Sequence, residues 1–266
     1  YDYDPVWAKC LELRVVPTFH SGGMGWGSRT SISNMMYNHI GHFAAAAEAV
    51  CKSLFFGGVT RRFPDLRFGF LEGGAGWACA LYNDLIGHWE KHNVASIASL
   101  DPARLDEELM RSLFERHAGP AVAKRLDEVE NRSDLLWGRA EAPEDLDEWI
   151  HCEISRKVDI RDLFVPNFYF GCEGDDRLTG WAFDATKNAL GARLHAIYGS
   201  DLGHFDLSDM RAAASEAWEL VEEGVLDEEN FRDFVFTHPA RFKAEVNPDF
   251  FVGTAVESAV AELLAQ

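Results

Sequence analysis

The chain of 266 residues carries 25 lysines and arginines against 44 aspartates and glutamates, a formal charge of −19. Such a charge repels phosphate backbones and anionic lipid at long range, which argues against nucleic acid and membrane as partners. Apolar residues make up 47% of the chain. No run of about 18 uninterrupted apolar residues occurs, so the composition predicts one globular domain over residues 1–266 rather than a membrane or disordered protein.

Cys10, Cys51, Cys79, Cys152 and Cys172 form no C-x-x-C pair and are odd in number, which predicts reduced thiols and a cytoplasmic setting. The opening "YDYDPVWAKC" has neither the basic nor the apolar region of a signal peptide. "DPVWAKCLEL" reads as a helix already in progress, and the expectation is a chain that lacks its front.

"RVVPTF", Arg14–Phe19, predicts a first strand that ends at His20, before the glycine-rich "SGGMGWGSR". A helix is expected from Ser33, as N-cap, to Phe56, stopped by Gly57 and Gly58. Leu66–Leu71 predicts a second strand, after which Glu72 precedes Gly73 and Gly74 and a helix runs from about Trp77 to Lys91. Residues 99–162 read as a charged helical insertion, with a helix starting at the Asp-Pro of "DPARLDEELMRSLFERH". "VPNFYFGCEGDD" predicts a third strand ending near Cys172 and Glu173, followed by a helix over about Asp176–Gly191. "LHAIYGSD" is the fourth strand, and helices are expected over about Leu207–Glu223 and Thr254–Leu263.

Strands alternating with helices predict a parallel sheet, whose functional groups collect at the C-terminal ends of the strands. His20, Glu72, Glu173 and Asp201 occupy those ends. Four strands are half of the eight that a closed (β/α)8 barrel needs.

An imidazole at His20 and a carboxylate at Asp201 suit a divalent ion that accepts nitrogen and oxygen donors, Zn²⁺, Mn²⁺ or Fe²⁺. Asp201 also suits a general base, and the plainer reading of either residue is a hydrogen-bonded loop or a cap. Asp206 directly precedes "LSDMRAAASEAW" and reads as that helix's cap, while His204 can orient substrate or the aspartate. Glu72 is a ligand, an acid/base group, or the salt-bridge partner of Arg29 or Arg67. Arg29 can clamp a substrate carboxylate, and Trp26 and Trp77 can wall a pocket or fill core. His39 and His42 have chelating i,i+3 spacing but read more simply as helix-packing residues. H-x-H, H-E-x-x-H and G-x-S-x-G are absent from the chain.

With "VVPTFHSGG", "RRFPDLRFGFLEGGAGW", "YGSDLGHFD" and "NPDFFVGTAVE" in this order, the chain resembles the amidohydrolase superfamily, in its aminocarboxymuconate-semialdehyde-decarboxylase-like branch. The resemblance implies the later half of a (β/α)8 TIM barrel, strands five to eight. It implies a divalent metal, most often zinc, that activates water for hydrolysis or assists non-oxidative decarboxylation of a small molecule. By position, His20 would be a metal ligand and Asp201 both ligand and proton shuttle, while His204 matches no ligand of the family; Glu72 and His204 in catalysis, and Arg29 and Trp26 at the substrate, are expected from the residues themselves. Two departures stand out: no H-x-H precedes these strands, and Glu72 stands where the family's sixth strand ends in histidine. The leading expectation is a metal-dependent hydrolase. The alternatives are a non-catalytic barrel relative that binds a ligand or partner, and a metal-dependent decarboxylase of a small carboxylate. A half-barrel edge further predicts a homo-oligomer.

Overall fold

The computed structural model describes residues 1–22, 30–101, 104–126, 128, 146–204, 207 and 209–265. The chain divides into two compact units, one of residues 1–86 and 151–266 and one of residues 87–150. In chain order the elements are α1 (Asp4–Glu12), β1 (Thr18–Phe19), α2 (Met35–His39), α3 (His42–Phe56), α4 (Val59–Arg62), β2 (Phe68–Phe70), α5 (Gly76–His92), α6 (Val94–Ile97), α7 (Glu107–His117), α8 (Pro120–Ala123), α9 (Lys157–Phe164), β3 (Phe168–Cys172), α10 (Thr179–Phe183), β4 (His195–Tyr198), α11 (Ala213–Glu222), α12 (Glu228–Arg232), α13 (His238–Ala244) and α14 (Glu257–Leu264). No helix among the described residues is long and apolar enough to cross a membrane.

The four strands form one sheet in the order β1-β2-β3-β4, every neighbouring pair parallel. Strand order that follows chain order, without a reversal, makes each crossover step the same way. Right-handed connections then fall on one face, unlike a doubly wound sheet. This arrangement is compatible with part of an α/β barrel.

Several predicted elements are shorter than their sequence pattern. Only Thr18 and Phe19 of the first strand pair with β2, because Arg14 adopts a left-handed backbone (φ 53°) and Val15 N–H still bonds back to Cys10 C=O. The expected helix over 33–56 is two helices, broken where Gly41 turns left-handed (φ 72°). Asn34, not Ser33, caps the first of them, its side chain accepting from Tyr37 N–H at 3.0 Å. The expected helix over 176–191 survives only as α10: Asp184 accepts from Thr186 N–H at 2.8 Å and Asn188 donates to Trp181 C=O at 2.8 Å, so side chains take over the backbone partners that a longer helix would need. In the second unit, Asp106 rather than Asp101 caps α7, accepting from Leu109 N–H at 2.8 Å.

The sheet's two faces differ because side chains alternate along a strand. Phe19, Phe68, Phe70, Phe168 and Phe170 share one face, as the registers Phe19↔Phe70, Phe70↔Phe170 and Phe68↔Phe168 require. Against them pack Trp7 of α1, Trp77 of α5 and Phe164 of α9, with ring centroids 5.0–5.4 Å from their nearest strand partners. Phe68, Phe70, Phe164, Phe168 and Phe170 are fully buried, and each contributes about 1.5–3 kcal/mol in transfer free energy. The opposite face presents Gly69, Tyr169 and Ile197, and α13 lays Phe242 across it. A Cβ on Gly69 would lie 2.5 Å from the Phe242 ring, so only glycine lets that helix close on the sheet.

Candidate functional site

The parallel register that pairs Phe19 with Phe70 carries the chain on to His20 and Glu72 at the C-terminal edge of the sheet. His20 Nε2 lies 2.6 Å from Glu72 Oε2, and His20 Nδ1 lies 2.7 Å from the carbonyl of Ser21. A carbonyl only accepts, so Nδ1 carries its hydrogen, and the contact at Nε2 holds one proton between ring and carboxylate. Phe43, near the start of α3, meets the ring edge-on at 5.3 Å. Glu72 side-chain exposure is 13%, against 44% for His20.

Glu72 reaches this place through an uncommon backbone. Its φ is 59°, left-handed for a residue that gains nothing from that conformation. The loop it begins presses against β3, where a Cβ on Gly171 would meet Leu71 Cα at 3.1 Å and Glu72 N at 3.2 Å. Glycine at 171 therefore sets how closely Glu72 approaches the third strand.

Asp201 follows β4 by three residues and is also left-handed, with φ 50°. Its Oδ1 lies 2.5 Å from His204 Nδ1. The tight turn that returns His204 N–H to Asp201 C=O, at 3.2 Å, brings the two side chains together. Asp201 is 20% exposed and His204 53%. One ligand atom each from Glu72, Asp201 and His204 lie within 4.8 Å of one another, the one such group of three among the described residues.

Beside Asp201 a cavity of about 190 Å³ opens between the ends of β3 and β4. Glu173, Tyr198, Ser200 and Asp201 line it, and Tyr198 holds α11 at its rim by donating to Ala213 C=O at 2.8 Å.

The structure thus brings four of the sequence candidates, His20, Glu72, Asp201 and His204, to one edge of the sheet, with Glu173 on the adjoining cavity. His204 rather than His20 completes the group of three. Arg67 is not the partner of Glu72: it pairs with Glu245 at 3.2 Å. Trp77 sits edge-on to Phe70 and Phe170, in the core. His39 and His42 each meet Phe43 edge-on, at 5.2 and 5.9 Å, and pack at the junction of α2 and α3. Trp26, Arg29 and Asp206 lie outside the described residues. In the turn ahead of α11, Asp209 accepts a backbone N–H, from Arg211 at 3.0 Å.

Sequence reading did not pair His20 with Glu72. The signal was available in two adjacent strands whose loops start with an imidazole and a carboxylate, but only the register brings them side by side. Compared with known proteins, the chain matches no family model, no curated protein and no solved structure.

Proposed function

We propose that the protein is a metal-dependent hydrolase of the amidohydrolase type, with β1–β4 standing as strands five to eight of a (β/α)8 barrel. The observation that carries this reading is the convergence of Glu72, Asp201 and His204 from two strand ends to within 4.8 Å. Two carboxylate oxygens and an imidazole nitrogen are a donor set that Zn²⁺ accepts, and Mn²⁺ or Fe²⁺ after it, and three protein ligands leave positions for water and substrate. His20, hydrogen-bonded to Glu72, orients that carboxylate from behind. When bound, such an ion polarises a carbonyl and acidifies water.

The chain's own residues supply the rest. Asp201 would accept a proton at its carboxylate, and His204 Nδ1, 2.5 Å away, holds that carboxylate in place. Tyr198, Ser200 and Glu173 line a polar cavity of about 190 Å³ beside Asp201. Arg29 and Trp26 are assigned to the substrate's carboxylate and its flat face. The reading places the protein in the cytoplasm, where five thiols stay reduced.

Equilibrium dialysis against Zn²⁺ followed by elemental analysis tests it: one ion per chain is expected, lost in Asp201→Ala and in Glu72→Ala. No ion after careful reconstitution removes the reading. A second reading, a barrel relative that binds a ligand without turnover, is favoured by one observation. Each imidazole already has a carboxylate partner at 2.5–2.6 Å, so both pairs are satisfied with nothing bound. Bound metal with no hydrolysis across a panel of amides and esters would favour it, and release of carbon dioxide from small carboxylates would instead assign a decarboxylase.

A further inference from the structure

Helix α7, in the unit of residues 87–150, has no buried residue, although apolar side chains repeat along one face. Met110, Leu113 and Phe114, with His117 and Ala118, line an apolar groove of about 440 Å³, and Leu109 flanks it on the same helical face. Leu109 is 54% exposed and Leu113 43%. At about 100° per residue, Met110 and Leu113 fall at the middle of this stripe, Asp106 at its start and His117 at its end. Glu108, Arg111 and Glu115 fall on the opposite side, where Arg111 bonds Glu115 at 3.2 Å within the helix.

The two ends of the helix carry opposite charge. Its first turn holds Glu107 and Glu108 behind the Asp106 cap, and its last turn holds Arg116 and His117. A helix that is acidic at one end, apolar in the middle and basic at the other complements itself when reversed. Its macrodipole adds to the same preference. A two-fold axis needs a patch of that kind, which matches itself. We propose that α7 is a self-association surface, on which a second copy of this chain lays its own α7 antiparallel. In the register that sets Met110 against Leu113 of the second copy, Asp106 meets His117 at both ends of the seam.

An 11-residue helix buries less than the about 800 Å² per partner of a standard interface. The dimer is therefore weak, with a dissociation constant in the micromolar range or above.

Sedimentation equilibrium of the full chain from about 1 to 300 μM reads the association directly. The expected mass rises from 29.8 kDa toward twice that value. Leu113→Glu buries a charge in the seam and is expected to weaken association at least about tenfold, whereas the volume-conserving Leu113→Met stays within about threefold of the parent. His117→Glu, which sets an acid against Asp106 of the second copy, is expected to weaken it as well. Circular dichroism verifies that each variant is folded, and Leu109→Lys replaces any that is not. A single 29.8 kDa species at every concentration overturns the proposal. So does parent-like association of folded Leu113→Glu or Leu109→Lys, and parent-like association of His117→Glu overturns the antiparallel pairing.

Discussion

The two ends of the sheet use histidine in opposite ways. At the C-terminal edge, His20 and His204 are exposed by 44% and 53%, and each meets a carboxylate within 2.6 Å. At the N-terminal edge, His195 opens β4 between Tyr169, at 4.5 Å, and His238 of α13, at 4.8 Å, and its enclosed Nδ1 has no hydrogen-bond partner. Burial, with His238, Arg67, Arg241 and Arg193 nearby, pushes the His195 pKa down to about 3. His238 donates Nδ1–H to Ala196 C=O at 2.9 Å and is likewise held below its ordinary range, chiefly by burial. One residue type thus makes a polar edge of carboxylate-paired rings above and a neutral aromatic packing layer below. What sets the two uses apart is the partner of each ring and its access to water.

Both ends hang on one aromatic core, and the largest effect follows from removing its centre. Phe170→Ala empties a site bounded by Phe70, Phe164 and Trp77 and is expected to cost about 3–5 kcal/mol in urea denaturation, with the two ends failing together. If Zn²⁺ affinity persisted after the lower layer had melted, the shared-core account would be wrong.

Acid separates the ends next. A histidine whose folded pKa is depressed is neutral in the folded state, so its contribution is complete above about pH 6.5 and is lost as pH falls toward the folded value of about 3. Through that window the unfolded chain binds more protons, and stability is expected to fall by up to about 1.4 kcal/mol per pH unit from His195. His195→Phe keeps the ring stacking and is expected to flatten the slope. An unchanged slope in thermal denaturation at pH 4–6 would assign the acid sensitivity elsewhere.

Gly69→Ala strains only the lower layer. The added methyl group meets the Phe242 ring, for an expected loss of about 1–3 kcal/mol, with Zn²⁺ binding at the upper edge unchanged by calorimetry. The smallest stability change belongs to Glu72→Gly. Relief of the left-handed backbone at φ 59° offsets loss of the partly exposed pair with His20, for a net change under about 1 kcal/mol, while cation binding disappears. A loss above about 2 kcal/mol would make Glu72 a structural brace rather than a ligand.

Much of the sheet was legible because its signals are local. Phe-rich runs punctuated by glycine and proline mark β2 and β3, the apolar run before Gly199 marks β4, and each is followed by the residue that reaches the upper edge. Helix lengths were less legible. Gly41 inside "NHIGHFAAAA" and the Asp184–Asn188 turn interrupt runs whose composition favours helix, and the outcome depends on backbone angles and side-chain hydrogen bonds that composition does not encode. Asp201 and His204 were legible as a pair, three residues apart. Glu72 with His20 was not, since 52 positions separate them and their contact exists only through strand register. The lower layer went unread altogether, because nothing in "LHAIYGSD" or "FTHPARF" marks those histidines as buried.

The sequence by itself determined the alternation of strands and helices, the parallel sheet and the candidates at its C-terminal edge, since strand period, turn residues and charge are properties of neighbours along the chain. Tertiary structure alone decided which candidates meet. Register set His20 against Glu72, and the Phe242 ring on Gly69 closed the lower face. A tight turn and two strand ends gathered Glu72, Asp201 and His204. Each of these contacts joins residues distant in the chain or depends on a backbone angle, and such contacts are fixed by packing rather than by neighbours along the chain.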